Sequence, residues 1–131
     1  MENITEKKCE IRENIVEKLK TLSAGELIEK TREIEERLFE FANFLESNIV
    51  LLYINSTSEV NTLKIIERCL NHNKIIILPA FNTTKHEMKL MKIDNLDANL
   101  TPGPRGILEP DSNSCNVVPI KCIDIAIIPG V

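Results

Sequence analysis

The stretch YINSTSEVNT, Tyr53 to Thr62, sets an acidic side chain, Glu59, where an apolar run hands over to a helical pattern. A carboxylate at such a junction has two uses. In the first turn of a helix it is stabilised by the macrodipole, by a few tenths of a kcal/mol up to about 1. Alternatively it accepts hydrogen bonds from a ligand carrying amide-like or amine N–H groups. Lys8 and Arg12 stand four residues apart and so share one helix face, beside Ile11 and Ile15. Such a pair can clamp a phosphate, or it can sit in solvent with Glu13 or Glu17 as ion-pair partners.

Other chemistries find little material. Cys9, Cys69, Cys115 and Cys122 form no C-x-x-C pair, and only His72 and His86 could complement them, so no metal site is expected. The two histidines lie in polar stretches, whereas Cys69 and Cys122 sit in apolar patterns typical of inert core thiols, and no nucleophilic triad emerges. GPRGILEP has glycines too widely spaced, and no lysine at the required place, for either common nucleotide fingerprint. The net charge is −4 and the basic residues are mixed with acids along the same helices, so nothing recommends a nucleic acid as partner. No run approaches the roughly 20 apolar residues that cross a bilayer, so no membrane partner is expected. MENITEKK has neither a secretory nor a transit character, which makes reduced thiols in a cytoplasmic location the expectation.

These residues need elements to position them. The 131 residues make one domain's worth of chain, with a single core. Apolar spacing at Ile11, Ile15, Leu19 and Leu22 predicts a helix over roughly Glu6 to Thr21, with Asn3 and Thr5 competing for its cap. Ser23 and Glu26 form a capping box that starts a second helix, flanked by Leu22 and Leu27 as a hydrophobic staple. Its stripe of Leu27, Thr31, Ile34, Leu38, Phe41 and Leu45 predicts packing along most of its length.

NIVLLYI, Asn48 to Ile54, reads as a strand covered on both faces. A short helix through Leu63, Ile66 and Leu70 follows, then a second buried strand, Lys74 to Pro79, which completes a βαβ unit. EMKLMKI suits a partly exposed strand. TPGPRGILEPDSN is so rich in proline and glycine that no regular element is expected through it, and CIDIAIIPGV reads as a third buried strand. The predicted class is α/β, with an N-terminal helical pair before a parallel core sheet. In such sheets ligands gather at the carboxyl ends of the strands, which singles out NSTSEVNT, AFNTTKHEM and the terminal PGV.

Taken in order, Lys8 and Arg12 in K-x-x-x-R, S-A-x-E-L at Ser23, E-V-N-T at Glu59, K-I-I-I-L-P at Lys74, G-I-L-E-P at Gly106 and I-D-I-A-I-I-P-G-V at Ile123 resemble the 5-formyltetrahydrofolate cyclo-ligase family, also called methenyltetrahydrofolate synthetases. The resemblance spans nearly the whole chain. It implies an open three-layer α/β/α sandwich and an ATP- and Mg²⁺-dependent conversion of 5-formyltetrahydrofolate to 5,10-methenyltetrahydrofolate. In the family's usual mechanism the formyl oxygen is phosphorylated and the N10 nitrogen then closes the ring, so positioning and charge neutralisation are the protein's main tasks. Carried over by position, Lys8 and Arg12 resemble ATP-phosphate contacts and Glu59 a folate-contacting carboxylate. Ile54 and Met88 resemble parts of the folate pocket wall, and Glu109 is family-typical without an assigned role. No catalytic residue is singled out.

Family members continue beyond the P-G-V strand into a Gly-rich, G-Y-Y-D-containing loop that supplies phosphate contacts and a Mg²⁺-ligating aspartate. Its absence makes the expected fold C-terminally incomplete. Residues 1–131 then read as the N-terminal portion of the family domain, or as a non-catalytic folate- or nucleotide-binding or interaction module. An exposed apolar edge is expected to drive self-association, or to recruit a partner chain that completes the sheet.

Overall fold

The structure is a computed structural model that describes residues 3–56, 60–82, 84–97, 99–103 and 106–129. Helix α1, Ile4–Lys20, begins where the Asn3 side chain accepts the Thr5 N–H at 3.0 Å, so Asn3 holds the cap for which Thr5 was a competitor. Helix α2, Ala24–Leu38, begins at Ser23, whose Oγ accepts the Glu26 N–H at 3.1 Å, one half of the expected capping box. The expected stripe through Leu45 does not stay on one helix. It breaks at Phe39 and Glu40 and resumes as the short α3, Ala42–Glu46.

Packing along most of α2 is a second expectation that the structure corrects. Neither α1 nor α2 contains a buried residue, and Leu27, Ile28 and Ile34 are exposed. Among the described residues, the contacts of α2 gather at its carboxyl end. There Arg68 lies 4.0 Å from the centroid of the Phe39 ring and pairs with Glu35 at 3.6 Å, while Phe39 meets Phe44 edge-on at 5.1 Å. An amphipathic stripe is buried only where an apolar surface faces it, and most of α2 finds none among the described residues.

Strand β1, Ile49–Leu51, is shorter than the apolar run that predicts it, although the Leu52 N–H still donates to the Ile77 carbonyl at 3.0 Å. Helix α4, Leu63–Asn71, then leads to β2, Ile75–Asn82, which pairs parallel to β1 with Val50 opposite Ile76. This is the expected βαβ unit. Strand β2 runs past Pro79 because it turns back as a hairpin with β3, Glu87–Ile93, setting Pro79 opposite Leu90 and Phe81 opposite Met88.

The proline- and glycine-rich stretch, expected to be irregular, holds a small antiparallel hairpin of β4, Leu100–Pro102, and β5, Leu108–Pro110. Pro102 and Pro110 sit at ladder ends, opposite Leu108 and Leu100, where a missing N–H costs least. Gly106, at φ +74°, takes a conformation that L side chains resist, and its N–H donates to the Gly103 carbonyl at 3.0 Å to close the turn.

Strand β6, Asn116–Val117, joins β3; a 3₁₀ turn at Ile120–Cys122 precedes β7, Ile125–Ala126, which pairs parallel to β1. The five-stranded sheet is ordered β6-β3-β2-β1-β7, so a parallel centre carries an antiparallel flank. Strand β7 is therefore an edge, and the expected third buried strand is instead a short, half-covered one: Ile125 is intermediate, and Ala126 and Ile128 are exposed. Cys122, expected in the core, is exposed in the 3₁₀ turn.

Alternation along the strands divides the sheet into two faces. Val50, Ile76, Leu78, Met91 and Ile93 join Ile65, Ile66 and Cys69 of α4, with Phe39 and Phe44, in one buried cluster. By register, Leu51, Ile77, Pro79, Phe81, Met88 and Leu90 belong to the opposite face. Two polar anchors hold strand ends in place. The Asp124 carboxylate accepts the Asn48 and Ile49 N–H groups, each at 2.9 Å, and Lys74 Nζ donates to the carbonyls of Phe44 at 2.9 Å, Leu45 at 3.1 Å and Ser47 at 2.5 Å.

Candidate functional site

A cavity of about 260 Å³ opens on this second face, at the carboxyl end of β1 and between its two parallel neighbours. The chain leaving β1 supplies Leu51 to Ile54, the β2–β3 hairpin supplies Pro79, Phe81, Met88 and Leu90, the β4–β5 hairpin supplies Ile107 to Glu109, and the segment after β7 supplies Ile127 to Pro129. The three stretches expected at strand carboxyl ends thus contribute, or adjoin residues that contribute, to one wall. The volume falls short of the roughly 300–1,000 Å³ of sites that enclose a whole drug-sized ligand, so it suits one ring end of a larger molecule.

Among the described residues the lining is apolar apart from Tyr53 and Glu109. Glu109 is only 5% exposed, and its Oε2 accepts the Phe81 N–H at 3.2 Å, which fastens β5 to the end of β2. Gly103 lies under that side chain so closely that a Cβ added there would come within 2.5 Å of the Glu109 Cδ. Glycine at this position is a requirement of the carboxylate's placement. Met88, in the same lining, is 53% exposed.

Of the residues singled out from sequence, Ile54 and Met88 come together in this cavity. Lys8 and Arg12 share an exposed face of α1, and neither lines it. Glu59 lies outside the described residues. The helix after it starts at Leu63 with Thr62 as N-cap. The ends of the segment carrying it are tied: the Thr62 hydroxyl donates to the Tyr53 carbonyl at 2.5 Å, and the Thr62 N–H donates to Asn55 Oδ1 at 3.4 Å. Glu109, Phe81 and Leu90 line the cavity without having been given a role from sequence. The available signal was the isolated acid of GILEP between proline-rich turns. Among the described residues no three His, Cys, Asp or Glu side chains are grouped to hold a metal ion, and no helix is long and apolar enough to cross a membrane.

A cavity at the carboxyl ends of parallel strands, with one buried acid among its described lining residues, belongs to an α/β protein of the open-sheet class. Residues 4–131 match the 5-formyltetrahydrofolate cyclo-ligase family, and the chain belongs to that family. It is 27% identical over 113 residues to a probable 5-formyltetrahydrofolate cyclo-ligase of Caenorhabditis elegans, a match covering 85% of this chain and 55% of the relative. It is also similar to the NMR structure of Aquifex aeolicus 5,10-methenyltetrahydrofolate synthetase, with a TM-score of 0.76 and 26% identity over 91% of this chain and 58% of that one. The chain thus spans little more than half the length of either relative.

Proposed function

We propose that this chain binds reduced folate and serves the cyclo-ligase reaction, the ATP-dependent closure of 5-formyltetrahydrofolate to 5,10-methenyltetrahydrofolate, in a cytoplasmic setting. The observation that carries the reading is the cavity at the carboxyl end of β1, where Ile54 and Met88 stand together in an apolar wall. A flat pteridine ring gains most from such walls, because they remove apolar area from water and hold the reacting atoms in one orientation. Glu59 is assigned to folate contact by its position in the family motif.

Lys8 and Arg12 present two cations on one face of α1, and they would hold phosphate oxygens of ATP as point charge and fork. ATP, as co-substrate, supplies the group that turns the formyl oxygen into a leaving group. The described residues offer no metal-ligand cluster that fits Mg²⁺. The exposed stripe of α1 and α2, with the open edge at β7, fits self-association or a partner chain that pairs with that edge.

Two measurements test the reading. Titration of the chain with 5-formyltetrahydrofolate is expected to show saturable binding, and with ATP and Mg²⁺ added the near-ultraviolet absorbance of the methenyl product is expected to grow. Lys8→Ala and Arg12→Ala are expected to cut turnover by about tenfold or more while folate binding stays within about twofold. Absence of folate binding to the wild-type chain would overturn the proposal.

A further inference from the structure

We propose that Glu109 selects and orients the ligand in the cavity, by accepting hydrogen bonds from N–H donors on its ring end; this rests on the reading of the cavity as a reduced-folate site. Among the described lining residues it is the one acidic or basic side chain, and every other except Tyr53 is apolar. The polar edge of an entering ring therefore meets Glu109. It is 5% exposed, whereas Met88 in the same lining is 53% exposed.

A backbone donor and a close backbone contact help to fix the carboxylate. Phe81 N–H donates to Oε2 at 3.2 Å, and Gly103 packs against Cδ where no larger residue fits. A group fixed in this way loses little freedom when it engages a ligand, so more of its interaction appears as affinity. An ionised carboxylate offers acceptors only. It therefore matches the donor-rich edge of a reduced pteridine, with its 2-amino group and ring N–H, and it repels carboxylates. Both effects are larger in an apolar cavity than in water. The consequence is a defined polarity of entry: the ring goes in first, and the anionic glutamate tail stays outside.

Calorimetric titration of the 131-residue chain with 5-formyltetrahydrofolate and with its 2-desamino analogue tests this, in the wild type and in Glu109→Gln. The wild type is expected to bind the parent compound about tenfold to a hundredfold more tightly than the analogue. In Glu109→Gln that ratio should shrink to about threefold or less. Its melting temperature should stay near that of the wild type, since the glutamine carbonyl still accepts the Phe81 N–H. Glu109→Asp, which withdraws the carboxylate from the cavity, gives the same readout if the glutamine variant does not fold. Equal binding of the two compounds by the wild type, or a ratio unchanged in the variants, would overturn the assignment while leaving the folate reading in place. Failure of the wild type to bind either compound would overturn both.

Discussion

Cys69 and Asp124 show what environment does to single side chains. The Cys69 thiol is fully buried and is pushed up to about 11, first by loss of solvent, with Lys74 and Arg68 pulling part of the way back. The thiolate is the reactive form, so Cys69 is chemically silent near neutral pH, whereas Cys9 and Cys122 are exposed. Two of the four thiols are expected to react promptly with an aromatic disulfide reagent at pH 8, and Cys69 and Cys115 only after denaturant is added. Prompt reaction of a third would contradict the packing described. The Asp124 carboxyl is held below its ordinary range, mainly by the N–H groups of Ile49 and Asn48. A depressed folded-state value stabilises the fold above the unfolded value of about 3.9 and loses that contribution as pH falls through the folded one. Asp124→Asn should therefore flatten the acid side of a stability–pH curve measured by urea unfolding. An unchanged acid limb would count against the anchor.

At the scale of elements, short pieces of structure are held by single polar side chains. Helix α3 has only five residues, too few to persist alone, and Lys74 ties its end by donating to three carbonyls. Lys74→Met is expected to lower unfolding free energy by about 1–3 kcal/mol, read from equilibrium urea denaturation, with Phe44 losing part of its cover. A change within error would show that α3 is held by Phe44 alone. The β4–β5 hairpin depends in the same way on Glu109, whose carboxylate joins it to Phe81 of β2. A side-chain oxygen that accepts a backbone N–H helps to place a three-residue strand whose own ladder is short.

The whole molecule exposes 9256 Å², where a compact monomer of 14.9 kDa would expose about 7,000 Å². The excess agrees with the α1 and α2 helices, neither of which buries a residue, and with Ile28, Phe41, Leu45 and Ile128 standing in solvent. Exposed apolar side chains of this kind are proposed to seek a partner surface. Light scattering is expected to report a mass above that of a single chain, and Ile28→Glu combined with Phe41→Glu is expected to return the monomer without loss of far-ultraviolet helical signal. A monodisperse wild-type monomer would count against it.

Local chemistry was legible in the sequence wherever one residue's preferences decide. Asn3 and Ser23 start their helices because a side-chain oxygen satisfies an end N–H, and the βαβ unit follows from two short apolar runs separated by a 3.6-residue period. Ile54 and Met88 could be named from motif order, although nothing local says that they meet. Tertiary structure alone decided the rest. It showed that the α2 stripe faces water, that the final apolar run is an edge, that a proline-rich stretch pairs as a hairpin, and that Glu109 is buried in a cavity wall. Each of these depends on what lies opposite a side chain, and burial is a relation between segments far apart in the chain that no window of neighbouring residues contains.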